Sequence, residues 1–389
     1  MPCLLFNQAR ISSVYLRILF VFVLSLSLSS LNTTTALAQQ SDDLEAIQQQ
    51  IKNKTKQIEL QLAEAKKLEA TLRKAELEIA KTAKALNSTE QGLTNNTQQR
   101  QLLKQQQQAL QKKLNLQQDA LAKQLRSAFM TGNYDYAKML LNQQDAAKFE
   151  RTISYYQYLN KARKSQIDEF RLLVKELQQV NQDLVAKQQQ LEQLQTTQQS
   201  QKDTLSKQQS SRKVTLSAIQ KAIQSDAAKV EQLQINEQNL LRAVQEAQRL
   251  AQNKPTTLEG LLEYKGQLLL PTKGKVRRLF GDRRQGQVRW KGILIDSKGG
   301  SSVVAIHHAK VLYADWLRGF GLVTVLDHGD GYMSLYGHNQ ALLRQAGDTV
   351  SAGEVIALVG QSGGQNVPSL YFEIRHKGKP VNPTNWLKL

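Results

Sequence analysis

Between residues 39 and 254, apolar side chains recur with a period of seven among Gln, Lys, Glu and Ala. From Phe170 to Leu184 the spacing alternates three and four. Such spacing places these side chains on one seam of a supercoiled α-helix and requires a partner helix. Only two glycines and no proline interrupt the segment before residue 254. The seam consists of three rows: Ile51, Ile58, Ala65, Leu72, Ile79, Leu86 and Leu93; Phe170, Leu173, Leu177, Val180, Leu184, Leu191 and Leu194; Leu216, Ile219, Ile223, Val230, Leu233, Leu240 and Val244.

The middle of this segment predicts a reversal of the chain. Gly132-Asn133 is a turn signal, and aromatic residues cluster just beyond it. We therefore predict a coiled-coil hairpin over 39–212, with a helical tip near 128–160. A dimer of parallel or antiparallel helices has the same heptad pattern, so the spacing alone leaves both arrangements open.

The seam is weakest over Thr196–Arg212, where polar residues predominate. This weakness predicts a hinge between the hairpin and a third helix, and we assign residues 213–254 to that helix and its linker. The Gln-rich runs Gln105–Gln108 and Gln188–Gln190 could be disordered, but leucine recurs through both, which favours solvated helix faces.

Residues 1–38 have the pattern of a secretory signal peptide. Arg10 and Arg17 precede an apolar stretch, and Ala36-Leu37-Ala38 forms a small-x-small cleavage site. The alternative is an uncleaved membrane anchor, for which the apolar core is short. The only cysteine, Cys3, lies in this segment, so the cleaved chain has no thiol for disulfides, zinc binding or catalysis.

The composition changes after residue 254. This part holds nineteen of the 21 glycines, five of the six prolines and every histidine and tryptophan. Short apolar runs between glycines, such as those at 303–306, 322–326 and 355–359, predict a mostly antiparallel β domain over 255–389. The predicted fold class is therefore α+β multidomain, with a long antiparallel coiled coil followed by a β domain.

The chain is strongly basic, with a formal net charge of +19. Loss of Arg10 and Arg17 with the signal peptide lowers the charge to +17, which is spread over both the arm and the β domain. Export argues against a nucleic-acid partner, so this charge indicates a general affinity for acidic surfaces.

Beyond residue 271, the order of motifs resembles the LytM-type (lysostaphin-like) peptidase domain. The motifs are Pro271-x-x-Gly274-x-Val276, Trp290-Lys291-Gly292, Ala314-Asp315-Trp316, Gly321-Leu322-Val323-Thr324-Val325, His328-Gly329, Tyr336-Gly337-His338, Gly347-Asp348-x-Val350-x-x-Gly353, Gly360-x-Ser362-Gly363, Leu370-Tyr371-Phe372-Glu373-Ile374-Arg375 and Asn382-Pro383-x-x-Trp386-Leu387. The complete layout of signal peptide, coiled coil and this domain is similar to the EnvC-type murein hydrolase activators.

Active members of the peptidase family bind zinc through a His-x-x-x-Asp pair and the second histidine of a His-x-His. When the motifs are aligned, these positions fall on Trp290, Leu294 and Tyr371. An indole and an isobutyl group cannot ligate zinc, and a neutral phenol is a poor substitute. The resemblance therefore implies a domain with no metal, no cofactor and no catalytic residue, in which His338 is a relic of the peptidase site.

Other histidines could in principle rebuild a metal site. His307 and His308 are adjacent, so along an extended chain they point to opposite faces. No carboxylate–histidine spacing joins them to His328 or His376. We interpret all four as surface or turn residues.

Replacement of the ligands makes the floor of the cleft apolar and aromatic, which is typical of a protein-binding groove. Some of these positions, notably Leu294 and Val323, could equally belong to the hydrophobic core. The predicted partner-binding groove comprises Lys291, Leu294, Phe320, Val323, Tyr336, Tyr371 and Arg375.

The resemblance implies a non-catalytic activator of peptidoglycan (N-acetylmuramoyl-L-alanine) amidases in the periplasm of a Gram-negative bacterium, acting at the septum in cell division. The groove would bind a helix that blocks the amidase active site. The tip would dock onto an FtsEX-type inner-membrane complex, and the third helix would cover the groove until that complex signals. The alternatives are a zinc endopeptidase that cleaves peptidoglycan cross-links and a structural spacer that binds peptidoglycan through its charge.

Overall fold

The computed structural model describes residues 31–131, 146–253 and 258–389. Three helices precede a β domain: α1 (Leu31–Thr131), α2 (Ala146–Ala222) and α3 (Asp226–Asn253). At about 1.5 Å per residue, α1 is on the order of 150 Å long. This architecture confirms the predicted fold class of a long helical coiled coil followed by a mostly antiparallel β domain.

Helices α1 and α2 of the same chain pack side by side in antiparallel orientation. Hydrogen bonds join Asn96 to Gln190 at 3.0 Å and Gln107 to Asn181 at 2.6 Å. As residue numbers rise along α1, their partners on α2 fall by a similar amount, as expected for an antiparallel hairpin. The heptad seam of α1 is thus covered from within the chain.

The first apolar row of the seam is buried only where α2 faces it. Ala65, Leu72 and Ile79 are buried, whereas Ile51 is 60% exposed. Because α2 ends at Ala222, which lies opposite residues near 66 in this register, Ile51 has no α2 residue across from it.

The helix break lies beyond the predicted hinge. Thr196–Arg212 is helical throughout, and residues 213–222 also belong to α2; the break falls at 223–225. The hinge prediction was therefore wrong. Arg212 is buried through tertiary contacts. These contacts stabilise the polar stretch, which lacks a strong apolar seam. The Ser225 hydroxyl accepts a hydrogen bond from the backbone N–H of Ala228 at 3.2 Å and so caps the start of α3.

Two predicted segments fall partly outside the described residues. The predicted tip includes residues 132–145, which are not described, and its flanks are the helical ends of α1 and α2. Residues 1–30 of the predicted signal peptide are likewise outside. Within the described ranges, no helix has an apolar stretch long enough to cross a membrane.

The β domain is built around one large antiparallel sheet with strand order β1-β4-β11-β8-β7-β6-β9. Strand β10 pairs with β5 and β8, β12 pairs with β11, and β2–β3 form a separate hairpin. The strands are β1 Lys275–Arg277, β2 Arg283–Gln285, β3 Val288–Arg289, β4 Ile293–Asp296, β5 Ser302–Val304, β6 Ala309–Leu317, β7 Gly321–Gly329, β8 Tyr332–Leu342, β9 Thr349–Val350, β10 Val355–Val359, β11 Ser369–His376 and β12 Lys379–Val381.

The two faces of this sheet bury different sets of side chains, as the period of two in a strand requires. Leu370, Phe372 and Ile374 of β11 face the main core of the β domain. On the opposite face, Tyr371 packs in a second cluster with residues of α3. We call this second surface the α3 face. The sheet is thus enclosed between its own core and α3.

We predict that Leu72→Ala lowers the stability of the arm by about 2–4 kcal/mol, because it leaves a cavity where α1, α2 and α3 meet. Leu60→Ala, at a site that is 64% exposed on the same helix, is the matched control and should change stability by less than about 0.5 kcal/mol. Urea unfolding followed by circular dichroism measures both. Equal effects of the two substitutions would contradict the packing described.

Candidate functional site

The three positions aligned with zinc ligands come together on the α3 face. Leu294 of β4 pairs in register with Tyr371 of β11, and the ring of Trp290 lies 6.2 Å from that of Tyr371 between centroids. Phe320 packs against the same tyrosine at 5.3 Å. The alignment thus predicts one convergent site, and its side chains form an apolar and aromatic surface.

These side chains do not fit a zinc ion. Trp290 and Leu294 have no free lone pair to offer, so only Tyr371 could ligate. Burial, together with the nearby Glu373 carboxylate, raises the pKa of Tyr371 well above its usual value, and its hydroxyl donates a hydrogen bond to Glu373. Over the described ranges, no group of three His, Cys, Asp or Glu side chains is arranged to hold a metal.

His338 is buried beneath this surface and supports it through packing and a hydrogen bond. Its backbone has a φ of +62°, its ring is nearly parallel to that of Phe320, and its Nδ1 lies 2.9 Å from the carbonyl oxygen of Ser362. Burial, and secondarily the charge of Arg284, lowers the pKa of His338 to about 3. The ring is therefore neutral near pH 7, and its Nδ1–H donates to the Ser362 carbonyl.

A charged network lies on the same face of β11. The Arg375 Nε donates to Glu373 at 2.7 Å, and its Nη1 donates to the carbonyl of Gly378 at 3.2 Å. Both charged side chains are almost completely buried. Among the described residues, none accepts a hydrogen bond from Nη2 of Arg375, so this network retains one unsatisfied donor.

Helix α3 covers the aromatic surface with an apolar ridge. Leu240, Val244 and Ala247 follow one another at helical spacing, and all three are buried. They pack in one cluster with Leu294, Phe320, Val323 and Tyr371. Only about 20 Å³ of cavity remains between the helix and the sheet.

Polar contacts fasten the N-terminal half of α3. Glu237 of α3 forms an ion pair with Lys291 of the β domain. Gln232 of α3 donates to Glu69 of α1 at 2.8 Å, and Arg318, in the loop between β6 and β7, pairs with the same carboxylate at 2.5 Å. Burial raises the pKa of Glu69, and Arg318 opposes that shift. These contacts join α1, α3 and the β domain.

One of the predicted groove residues does not belong to the α3 face. Tyr336 was a wrong prediction, because side chains alternate along β8 and its ring points into the main core, 5.2 Å from Phe372. Its hydroxyl accepts from the N–H of Ile306 at 3.2 Å. The residues that do lie on or at the border of the α3 face are Lys291, Leu294, Phe320, Val323, Tyr371 and Arg375.

Arg284 is a site residue that the sequence did not reveal. It lies in the β2–β3 hairpin, outside the family motifs, and its guanidinium is 4.3 Å from the centre of the Trp290 ring. Burial lowers the pKa of Arg284, while Tyr371 and Glu237 counteract this shift. The run Arg283-Arg284-Gln285 was the only available signal, and it resembles an ordinary solvated turn.

The comparisons with known proteins agree with this geometry. Residues 288–383 match the model of peptidase family M23. The β domain therefore contains a domain of peptidase family M23. The chain is 33% identical to the murein hydrolase activator EnvC of Escherichia coli (strain K12) over 387 residues, covering 91% of this chain and 92% of that protein. The chain belongs to the EnvC family.

Other similarities cover a smaller share of the chain. The murein hydrolase activator NlpD of Escherichia coli is 41% identical over 118 residues, which is 30% of each chain. Among solved structures, the catalytic domain of lysostaphin from Staphylococcus simulans aligns with 28% of this chain and 89% of its own length, at 25% identity and a TM-score of 0.27.

We predict that acid weakens the β domain through its two buried histidines. The interpretation of His328 as a surface or turn residue was wrong, because it lies within β7 and is 1% exposed. Burial lowers the pKa of His338 to about 3 and that of His328 to about 4, below the usual 6.5. Below pH 6.5 the unfolded chain therefore binds more protons than the folded chain. The free energy of unfolding falls as the pH falls, by about 2 kcal/mol per histidine between pH 7 and 5.

His338→Asn tests this effect, because asparagine tolerates a positive φ and does not titrate. Urea unfolding at pH 7 and pH 5 should show a loss about 2 kcal/mol smaller for the variant than for the parent chain. Identical losses in both proteins would show that His338 is not buried in its neutral form.

Proposed function

We propose that this protein is a non-catalytic activator of N-acetylmuramoyl-L-alanine amidases in the periplasm and that it acts in daughter-cell separation. Family membership over nearly the full length supports this function. The observation that carries it is the aromatic surface at the three vacated ligand positions, which packs against a helix instead of a metal.

In this proposal the α3 face is the partner-binding groove. Because α3 fills it with apolar residues at helical spacing, the surface has the shape and chemistry to hold an amphipathic helix. The helix that blocks the amidase active site competes with α3 for this groove. Binding of that helix to the groove withdraws it from the amidase, and the occupancy depends on the difference in affinity between the two helices.

The charges around the groove favour a partner helix with acidic side chains. When α3 leaves, Lys291 loses Glu237. Nη2 of Arg375, which has no acceptor among the described residues, is a second donor at the border of the groove. A carboxylate on the incoming helix would satisfy either cation. Apolar residues on the same helix would replace Leu240 and Val244.

The arm carries the regulatory input in this proposal. The tip docks onto an FtsEX-type complex of the inner membrane, and α3 stays on the groove until that complex acts. Large apolar side chains are exposed close to the tip, as expected for a docking end: Phe129, Met130, Tyr155 and Tyr158 are 66–88% exposed. The chain works beside peptidoglycan at the septum, and its export leaves it no nucleic-acid partner.

Dye-labelled sacculi test this function. Purified mature protein should release no dye alone and should increase release by a purified amidase. Release by this protein alone, with stoichiometric zinc by elemental analysis, would instead establish the endopeptidase. Absence of stimulation with every amidase of the parent organism would favour the structural spacer.

We predict that Leu240→Asp makes the full mature chain a stronger activator, by at least about tenfold, because a carboxylate cannot stay buried in the apolar cluster and α3 leaves the groove. Gln245→Asp adds the same charge at an exposed position of α3 and should change nothing. Amidase-dependent dye release measures both variants. Equal activity of Leu240→Asp and the parent chain would contradict coverage of the groove by α3.

We predict that Tyr371→Ala or Arg375→Ala, introduced into the Leu240→Asp background, lowers amidase stimulation at least about tenfold, as expected for buried contact residues of an interface. Tyr332→Ala is the matched control, since this tyrosine is equally buried but packs in the main core. It should lower the melting temperature without comparable loss of stimulation. Full stimulation by both groove variants would place the amidase site elsewhere.

A further inference from the structure

A buried ion pair joins α1 to α2 where the hairpin meets the β domain. The Nε of Arg212 donates to Oε1 of Glu76 at 2.9 Å, and both side chains are less than 5% exposed. A second ion pair between the same helices, Lys202 with Glu90, is 48% exposed on each side and 3.9 Å long. Burying two charges is costly unless further hydrogen bonds satisfy them, so the first pair requires additional partners.

The β domain supplies those partners. Glu76 accepts hydrogen bonds from the indole Nε1 of Trp316 at 2.7 Å and from the backbone N–H of Gly363 at 3.0 Å. The Nη2 of Arg212 donates to the backbone carbonyls of Gln361 and Gln365. We call these contacts the Glu76–Arg212 node. Neither helix can complete the node alone, because Glu76 of α1 supplies the acceptor and Arg212 of α2 supplies the donor for the β domain.

The loop held by the node is also tied to the groove. Ser362, in the middle of this loop, accepts through its hydroxyl from the N–H of Leu322 at 2.9 Å and donates to the carbonyl of Asn339 at 2.6 Å. Its carbonyl accepts from His338, whose ring packs against Phe320. The loop therefore connects the arm to the aromatic floor beneath α3.

The backbone packing of this loop leaves little freedom to adjust. Gly363 has a φ of +73°, and a Cβ built on it would lie 2.2 Å from the backbone nitrogen of Gly321. A residue with a side chain could not occupy this position without displacing the backbone. A displacement of the loop would therefore disturb β7, which carries Val323, and the adjacent Phe320.

We propose that the Glu76–Arg212 node is a register lock, which holds the β domain on the arm only while α1 and α2 keep the register that brings these two side chains together. A slide of one residue shifts a helix by about 1.5 Å along its axis, which is enough to break several of these hydrogen bonds. The lock is distinct from α3, which covers the groove through apolar contacts. Its consequence for amidase activation rests on the proposed function.

The node also provides a physical route from the far end of the arm. Glu76 lies about 80 Å from the end of α1 at 1.5 Å per residue, and α1 and α2 are continuous helices between these points. A change that slides or splays the helices near the tip therefore reaches the node as a change of register. The node links a two-helix rearrangement to loss of contact with the domain.

Hydrogen–deuterium exchange on the full chain alone tests the lock. In Glu76→Gln, the amides of 361–365 should exchange at least about tenfold faster than in the parent, because Arg212 is left buried without a counter-charge. Glu90→Gln, at the exposed pair of the same helices, should leave them unchanged. Unchanged protection in Glu76→Gln would overturn the proposal.

A charge reversal distinguishes the proposed lock from an ion pair that joins only α1 and α2. In Glu76→Arg/Arg212→Glu, the two helices regain an ion pair, but residue 76 no longer accepts from Gly363 and Trp316. Exchange in 361–365 should stay fast. Recovery of parental protection would show that the pair joins only α1 and α2, which overturns the lock.

Trp316→Phe provides a readout if either charged variant fails to fold. This substitution removes only the indole donor of the β domain. Amide exchange in 361–365 should become faster while 370–374 stays protected. Unaltered exchange in 361–365 would contradict the node. No amidase is present in these measurements. A failed lock would therefore leave the proposed activation intact, and failed stimulation in the sacculus assay would leave the lock intact.

Discussion

The structure depends on the burial of an apolar helix ridge of α3 against an aromatic face of the β-sheet. Leu240 and Val244 of α3 pack against Trp290, Leu294 and Tyr371, the three side chains predicted to stand at the ligand positions. An aromatic surface of this kind is unfavourable in water, so it needs a cover. Coverage by α3 therefore follows from the apolar character of this surface.

This arrangement gives the protein two kinds of attachment between arm and domain. The α3 contact is apolar, and in the proposed function another helix with the same spacing of side chains takes its position. The Glu76–Arg212 node is polar and geometrically demanding, because buried charges tolerate little displacement of their partners. A replaceable cover and a register-sensitive anchor suit a switch better than either would alone, because each responds to a different perturbation.

The sequence predicted the hairpin and the convergence of the ligand positions, because heptad spacing and motif order are local patterns. It misplaced the hinge, because the weak seam of Thr196–Arg212 is compensated by Arg212 reaching into the β domain, which is a long-range contact. Tyr336 was misassigned because its motif fixes a position along β8 and not a face of the sheet. Arg284 and Glu76 belong to no motif, and only the fold brings them to the site.

The central claim is that the groove must lose α3 before the protein can activate an amidase. A reversible disulfide tests this most directly, because the sequence has no cysteine beyond Cys3. The Cβ of Val230 on α3 lies 3.9 Å from the position of a Cβ at Gly286, within the range of disulfides. Oxidised Val230→Cys/Gly286→Cys protein, in the Leu240→Asp background, should stimulate no amidase and should recover with reductant, while each single variant stays active. Equal stimulation by the oxidised and reduced forms would contradict the account.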